Sequence, residues 1–102
     1  MEEVYKQIIA WYGKRNQTIK ACEELAELNK VLCKGLNKKM DIEALTEEIA
    51  DVQIMIEQLK IMYNIPEQKL YQIKEFKLDR TQRRMAAELD SRGYELDSAG
   101  SC

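Results

Sequence analysis

The sequence predicts an all-α protein, on three observations. Proline occurs once and glycine four times in 102 residues. Glu, Lys, Leu, Gln, Ala and Met, all good helix formers, are abundant. Apolar residues recur at spacings of three and four, and the recurrence is broken near Gly13, Gly35 and Asn64-Ile65-Pro66, which leaves four helical runs.

Glu2 to Tyr12 reads as a short first helix with Val4, Ile8, Trp11 and Tyr12 along one side, and Gly13 is placed to end it in a left-handed cap. Asn16 is the expected N-cap of a second helix that continues to Lys34 and stops near Gly35. Lys34 to Lys39 then form a turn, Asp41 caps a long third helix to Tyr63, and Asn64-Ile65-Pro66 breaks it. Pro66, which has no N–H to leave unbonded, suits the first turn of a fourth helix ending near Leu89. The stretch 91–102, with Gly93, Gly100 and three serines, lacks helical spacing and is expected to be a flexible C-terminal tail behind a helical domain of residues 1–90.

An apolar content of 45% supports a packed core and argues against disorder throughout. A net charge of −2 argues against direct nucleic-acid binding, and no run reaches the roughly 20 apolar residues of a membrane span. Three cysteines, an odd number in a chain without a signal peptide, point to a reducing cytoplasm. Cys22 and Cys33, eleven residues apart, are expected on one helix face as small core residues. The third helix is apolar over a wider arc than one small chain can cover, which predicts a homodimer or homotetramer. The expected architecture is therefore a small four-helix bundle built on an antiparallel helical hairpin and completed by oligomerisation.

Four carboxylates stand apart from ordinary surface charge. Glu24 and Glu27 lie in the second helical run and Glu48 and Asp51 in the third, each pair three residues apart. The position numbers of Glu24 and Asp51 have the same total as those of Glu27 and Glu48, so in an antiparallel hairpin turning near Lys34 to Lys39 all four meet at one height. At about 100° per residue, Glu48 falls between Met55 and Leu59, inside a stripe with Leu45, Val52, Ile56 and Met62, and Asp51 falls at its edge. On the second helix Ala21, Leu25, Leu28 and Leu32 form the stripe, with Glu24 between Val31 and Leu28 and Glu27 at the border. Carboxylates so placed repel one another unless protons or a cation intervene. Histidine is absent, which removes the Glu-x-x-His ligands of di-iron bundles and mixed zinc sites and leaves hard, oxygen-only coordination. Mg²⁺, with Mn²⁺ as a substitute, fits that donor set.

Glu23-Glu24-Leu25-Ala26-Glu27 followed by Glu48-Ile49-Ala50-Asp51, with the lead-in Gln17-x-x-Lys20-x-x-Glu23, resembles the EExxE and ExxD signature of the MazG-like all-α nucleoside triphosphate pyrophosphohydrolases. The resemblance implies Mg²⁺-dependent hydrolysis of (deoxy)nucleoside triphosphates between the α and β phosphates, giving a nucleoside monophosphate and pyrophosphate, as house-cleaning of nucleotide pools. It assigns the metal to Glu24, Glu27, Glu48 and Asp51 and leaves either Glu27 or Glu48 to accept the proton of the attacking water. Lys20 in the lead-in is a candidate phosphate ligand. On the fourth helix Leu70, Ile73, Lys77, Arg80 and Arg84 follow one helical line, with Lys74 beside it, so Lys74, Lys77 and Arg80 are further phosphate-binding candidates. That helix departs from the family's Lys, Asn and Arg set, because Asp79 precedes Arg80 and no Asn is present. Trp11, Tyr12 and Tyr63 are aromatic residues near helix ends; Trp11 and Tyr12 are candidates to stack on the base, and core packing is the competing role for all three. In such families a second subunit often completes the pocket.

Two other functions fit the same residues. A phosphoribosyl-ATP pyrophosphohydrolase-like activity keeps the scaffold and changes the substrate. A non-catalytic helical oligomerisation module uses the apolar stripes alone. DNA binding through Arg80, Arg83 and Arg84 ranks below both, since the chain is acidic and no recognition helix stands out.

Overall fold

The computed structural model describes residues 1–92, which form four helices and no strand: α1 (Glu2–Tyr12), α2 (Lys14–Asn37), α3 (Ile42–Met62) and α4 (Glu67–Arg92). The expected tail at 91–102 falls, beyond Arg92, outside the described residues. No described helix is long and apolar enough to cross a membrane. The chain divides into two compact units, the first Met1–Ile65 and the second beginning at Pro66.

Within the first unit, α2 and α3 make the most extensive contact and α1 touches both. α1 ends at Gly13, whose N–H donates to Ile9 O at 2.8 Å. Its φ of 93° and ψ of 152° lie outside the expected left-handed helical cap, in a region that favours glycine, and α2 starts at the next residue. Asn16 therefore lies inside α2 instead of capping it; its Nδ2 donates to Tyr12 O at 2.8 Å, and α2 begins with no side-chain cap. α2 also runs past its expected stop at Gly35 to Asn37. There Gly35 serves close packing, since a Cβ at this position would collide with the Met40 side chain. Asp41 caps α3 as its sequence position predicts, accepting from Ala44 N at 3.0 Å. At the other end Asn64 takes φ 53° and Ile65 N donates back to Lys60 O at 2.9 Å, which closes the helix.

Contacts between α2 and α3 run in opposite order along the two helices: Gln17 bonds Gln58 near the start of α2, and Glu24 meets Glu48 and Asp51 further on. α2 buries Gln17 and Ala21 and half-buries Glu24, Leu28 and Val31, a line with steps of four and three. Leu25 and Leu32, expected at the centre of that face, are 51% and 38% exposed. The buried line is rotated away from them because two of its members are polar, which a purely apolar criterion overlooks. The same rotation leaves Cys22 and Cys33 exposed, against the expectation of a core role. α3 buries Val52, Met55, Gln58 and Met62 and half-buries Leu45, Glu48, Asp51 and Leu59, while Ile56 is exposed.

In the second unit, Pro66 O accepts from Leu70 N at 3.1 Å at the start of α4. The Asp79 carboxylate pairs with Arg83 at 2.9 Å, and the Arg80 guanidinium lies over the Phe76 ring at 5.9 Å, both one helical turn apart.

Candidate metal centre

Each helix brings its acidic residues to the seam by spacing alone. Glu24 belongs to the buried line of α2, and Glu48 and Asp51, one turn apart on α3, flank Val52. One carboxylate oxygen from each of Glu24, Glu48 and Asp51 lies within 4.8 Å of the other two, and all three residues are half-buried. In an octahedral site with bonds of about 2.1 Å, adjacent oxygens stand about 3.0 Å apart and opposite ones about 4.2 Å, so the three side chains would draw together to close on an ion.

The electrostatics are those of an anionic cluster with too little positive charge. Lys20 Nζ pairs with Glu24 Oε1 at 3.2 Å. Glu48 Oε2 is buried with no hydrogen-bond partner among the described residues, a condition that a carboxylate, which only accepts when ionised, escapes by taking a proton or a cation. Burial, followed by the charges of Asp51, Glu24, Glu27 and Glu47, pushes the Glu48 carboxyl up. Burial and then the Glu24 charge, with the hydrogen bond that a protonated Asp51 donates to Glu24, push Asp51 up, partly opposed by Lys20. The Lys20 ammonium is raised, chiefly by its hydrogen bond to Glu24. Three groups of hard oxygen donors, one with an orphaned buried atom, fit Mg²⁺ and offer nothing to a soft metal.

The remaining predicted residues are placed as follows. Glu27 is exposed on the flank of the seam, outside the close triad, although its charge reaches Glu48. Lys20 lies beside the triad through Glu24. Trp11 is 84% exposed and Tyr12 is also exposed, so neither fills the core of the first unit. Lys74, Lys77 and Arg80 stand exposed on α4 in the second unit.

The most buried polar layer joins two glutamines that apolar periodicity passes over. Gln58 is 1% and Gln17 7% exposed, and Gln17 Nε2 donates to Gln58 Oε1 at 2.7 Å. A signal was available, because these positions have the same total as Glu24 and Asp51 and each lies seven residues from its acidic neighbour on the helix.

Comparison of the chain with known protein families, with curated proteins and with solved structures gives no match. The likeness to MazG-like enzymes rests on the quoted motif residues alone.

Proposed function

We propose that this protein is a Mg²⁺-dependent nucleotide pyrophosphohydrolase that splits nucleoside triphosphates between the α and β phosphates. The observation that supports it most is the convergence of Glu24, Glu48 and Asp51 within 4.8 Å, with Glu48 Oε2 buried and unpartnered. In this proposal α2 and α3 form an antiparallel hairpin, supported by the Gln17–Gln58 bond and the reversed order of contacts. Glu24, Glu48 and Asp51 hold the ion, and Glu27, one turn beyond Glu24, joins them. Mg²⁺, or Mn²⁺ in its place, would supply charge neutralisation for the phosphates and a site for the attacking water. Glu27 or Glu48 takes the water's proton. Lys20, released from Glu24 when that carboxylate turns to the ion, contacts phosphate as a mobile point charge. Lys74, Lys77 and Arg80, and Trp11 and Tyr12 for the base, enter on the sequence alone.

The functional unit is proposed to be a homodimer or homotetramer. Ile42, Ile49 and Ile56 stand seven residues apart on one exposed line of α3, and Leu25 and Leu32 are exposed on α2. These apolar lines also favour the second reading, a non-catalytic oligomerisation module. Pyrophosphate release from a panel of ribo- and deoxyribonucleoside triphosphates and phosphoribosyl-ATP, with Mg²⁺ or excess EDTA, separates the possibilities. Mg²⁺-dependent release lost in Glu48→Gln supports the enzyme, and the preferred compound names the substrate. No release from any compound by folded protein sinks the enzyme and leaves the module.

A further inference from the structure

The start of α2 carries a second polar cleft, built from different residues. An open surface depression of about 410 Å³ is lined by Lys14, Arg15, Thr18, Ile19 and Tyr63. Thr18 lies about 120° around α2 from Glu24 and about 9 Å along it, so the cleft opens on another side of the helix. Its charge is the reverse of the carboxylate cluster: two cations and no acid line it. Lys14 Nζ sits over the Tyr63 ring at 4.4 Å, which holds the ammonium at the cleft. Among the described residues Arg15 has no ion-pair partner.

The placement of these cations runs against helix electrostatics. The first turn of a helix is its positive end, where acidic side chains stabilise and basic ones destabilise. α2 has no acid in its first turn and no side-chain cap, and it puts Lys14 and Arg15 there instead. An anion beside these two cations offsets that repulsion.

The hydroxyls supply the donor. Thr18 Oγ1 lies 2.8 Å from both Lys14 O and Tyr63 Oη, and it has a single proton. When Thr18 donates to Lys14 O, the Tyr63 proton is used on Thr18. When Thr18 donates to Tyr63, the phenol O–H is free for a ligand oxygen. Lys14 O is then left with the backbone bond that it already accepts within the helix.

We propose that this cleft is a binding site for a phosphate-type oxyanion, held by Lys14 and Arg15 and by the Tyr63 hydroxyl, with Thr18 as the proton relay that frees it. Ile19 and the Tyr63 ring add an apolar wall that would carry an attached organic group. The site does not depend on the metal centre or on the proposed hydrolysis.

Titration of the full-length chain with inorganic phosphate, in EDTA and against sodium chloride of matched ionic strength, tests it by backbone-amide NMR. Saturable shifts should centre on residues 14–19 and Tyr63 and should persist in Glu48→Gln, which separates this site from the carboxylate cluster. Lys14→Gln/Arg15→Gln should weaken binding at least tenfold, and Tyr63→Phe several-fold. Because the double variant removes cations from the positive end of α2, its Tm should equal or exceed that of the parent. Should it lose stability, Tyr63→Phe, which deletes one oxygen, carries the test. Adenosine monophosphate binding more tightly than phosphate, with the same variant dependence, supports the site with a nucleotide as ligand; equal binding supports it with free phosphate. Absence of saturable shifts, or unchanged affinity in the double variant and in Tyr63→Phe, overturns it.

Discussion

Gln17 and Gln58 lie seven residues from Glu24 and Asp51 on α2 and α3, so one seam carries a glutamine layer and a carboxylate layer two turns apart. An amide has both a donor and an acceptor, and the two glutamines close on each other at 2.7 Å. Ionised carboxylates only accept. The three at the second layer cannot satisfy one another, and Glu48 Oε2 is left alone. Burial of similar helix positions therefore gives a finished lock in one layer and an unmet demand for positive charge in the other.

Making the acidic layer resemble the amide layer should have the largest effect. Glu24→Gln or Asp51→Asn adds a donor and removes a negative charge from the triad. Under the proposed function, pyrophosphate release falls by about 100-fold or more, while the melting temperature without Mg²⁺ rises. Full activity in both variants would discard the assigned site. A stability loss instead of a gain would show that these carboxylates serve the fold.

Breaking the amide layer should do the opposite, lowering stability first. Gln58→Leu leaves the Gln17 amide buried without its partner, at a cost of about 1–3 kcal/mol. In Gln17→Leu/Gln58→Leu no orphan remains, so much of the loss should return. Chemical denaturation of the two single variants and the double gives the coupling directly. Additive losses would mean that the hydrogen bond contributes little and that the side chains matter by volume.

The layers also differ in response to pH. Glu48 and Asp51 hold their protons more tightly when folded, since both are raised above their ordinary values of 4.5 and 3.8. Stability from these two groups is fully present below those ordinary values and is lost as pH rises through the raised ones. In EDTA the parent protein should thus lose stability relative to Glu48→Gln as pH rises above these ordinary values, and under the proposed function Mg²⁺ should restore it. The amide layer has no ionisable group and contributes no slope. A parent-minus-variant difference flat in pH would remove the claim that burial and neighbouring charge raise Glu48.

How much of this was legible in the sequence differs between the layers. The four helices, the Asp41 cap and the meeting of Glu24 with Glu48 and Asp51 follow from spacing, because helical periodicity and a shared height need no knowledge of side-chain packing. The rotation of α2 does not. Leu25 and Leu32 are more apolar than Gln17 and Glu24, yet the buried line runs through the latter pair, since tertiary pairing with Gln58 and Asp51 outweighs local hydrophobicity. Gly13 misled for a related reason. Its positive φ was readable, but the extended ψ that starts α2 at Lys14 depends on how α1 meets α2 and α3.

The smallest effect, and the sharpest on the comparison, belongs to Lys20. Among the described residues its ammonium makes the one ion pair of the triad, at 3.2 Å from Glu24, and its side chain is 53% exposed. Exposed pairs of this kind contribute little to stability, so Lys20→Gln should shift the melting temperature very little. Lys20 nevertheless opposes the rise of Asp51. Removing it should push the Asp51 carboxyl further up, steepening the loss of stability with pH in EDTA. Under the proposed function it should also raise KM several-fold with a smaller change in kcat, because a mobile ammonium serves substrate phosphate and metal alike. Unchanged pH slope and KM would reduce Lys20 to a surface partner of Glu24 and leave the carboxylate layer with no protein cation acting on it.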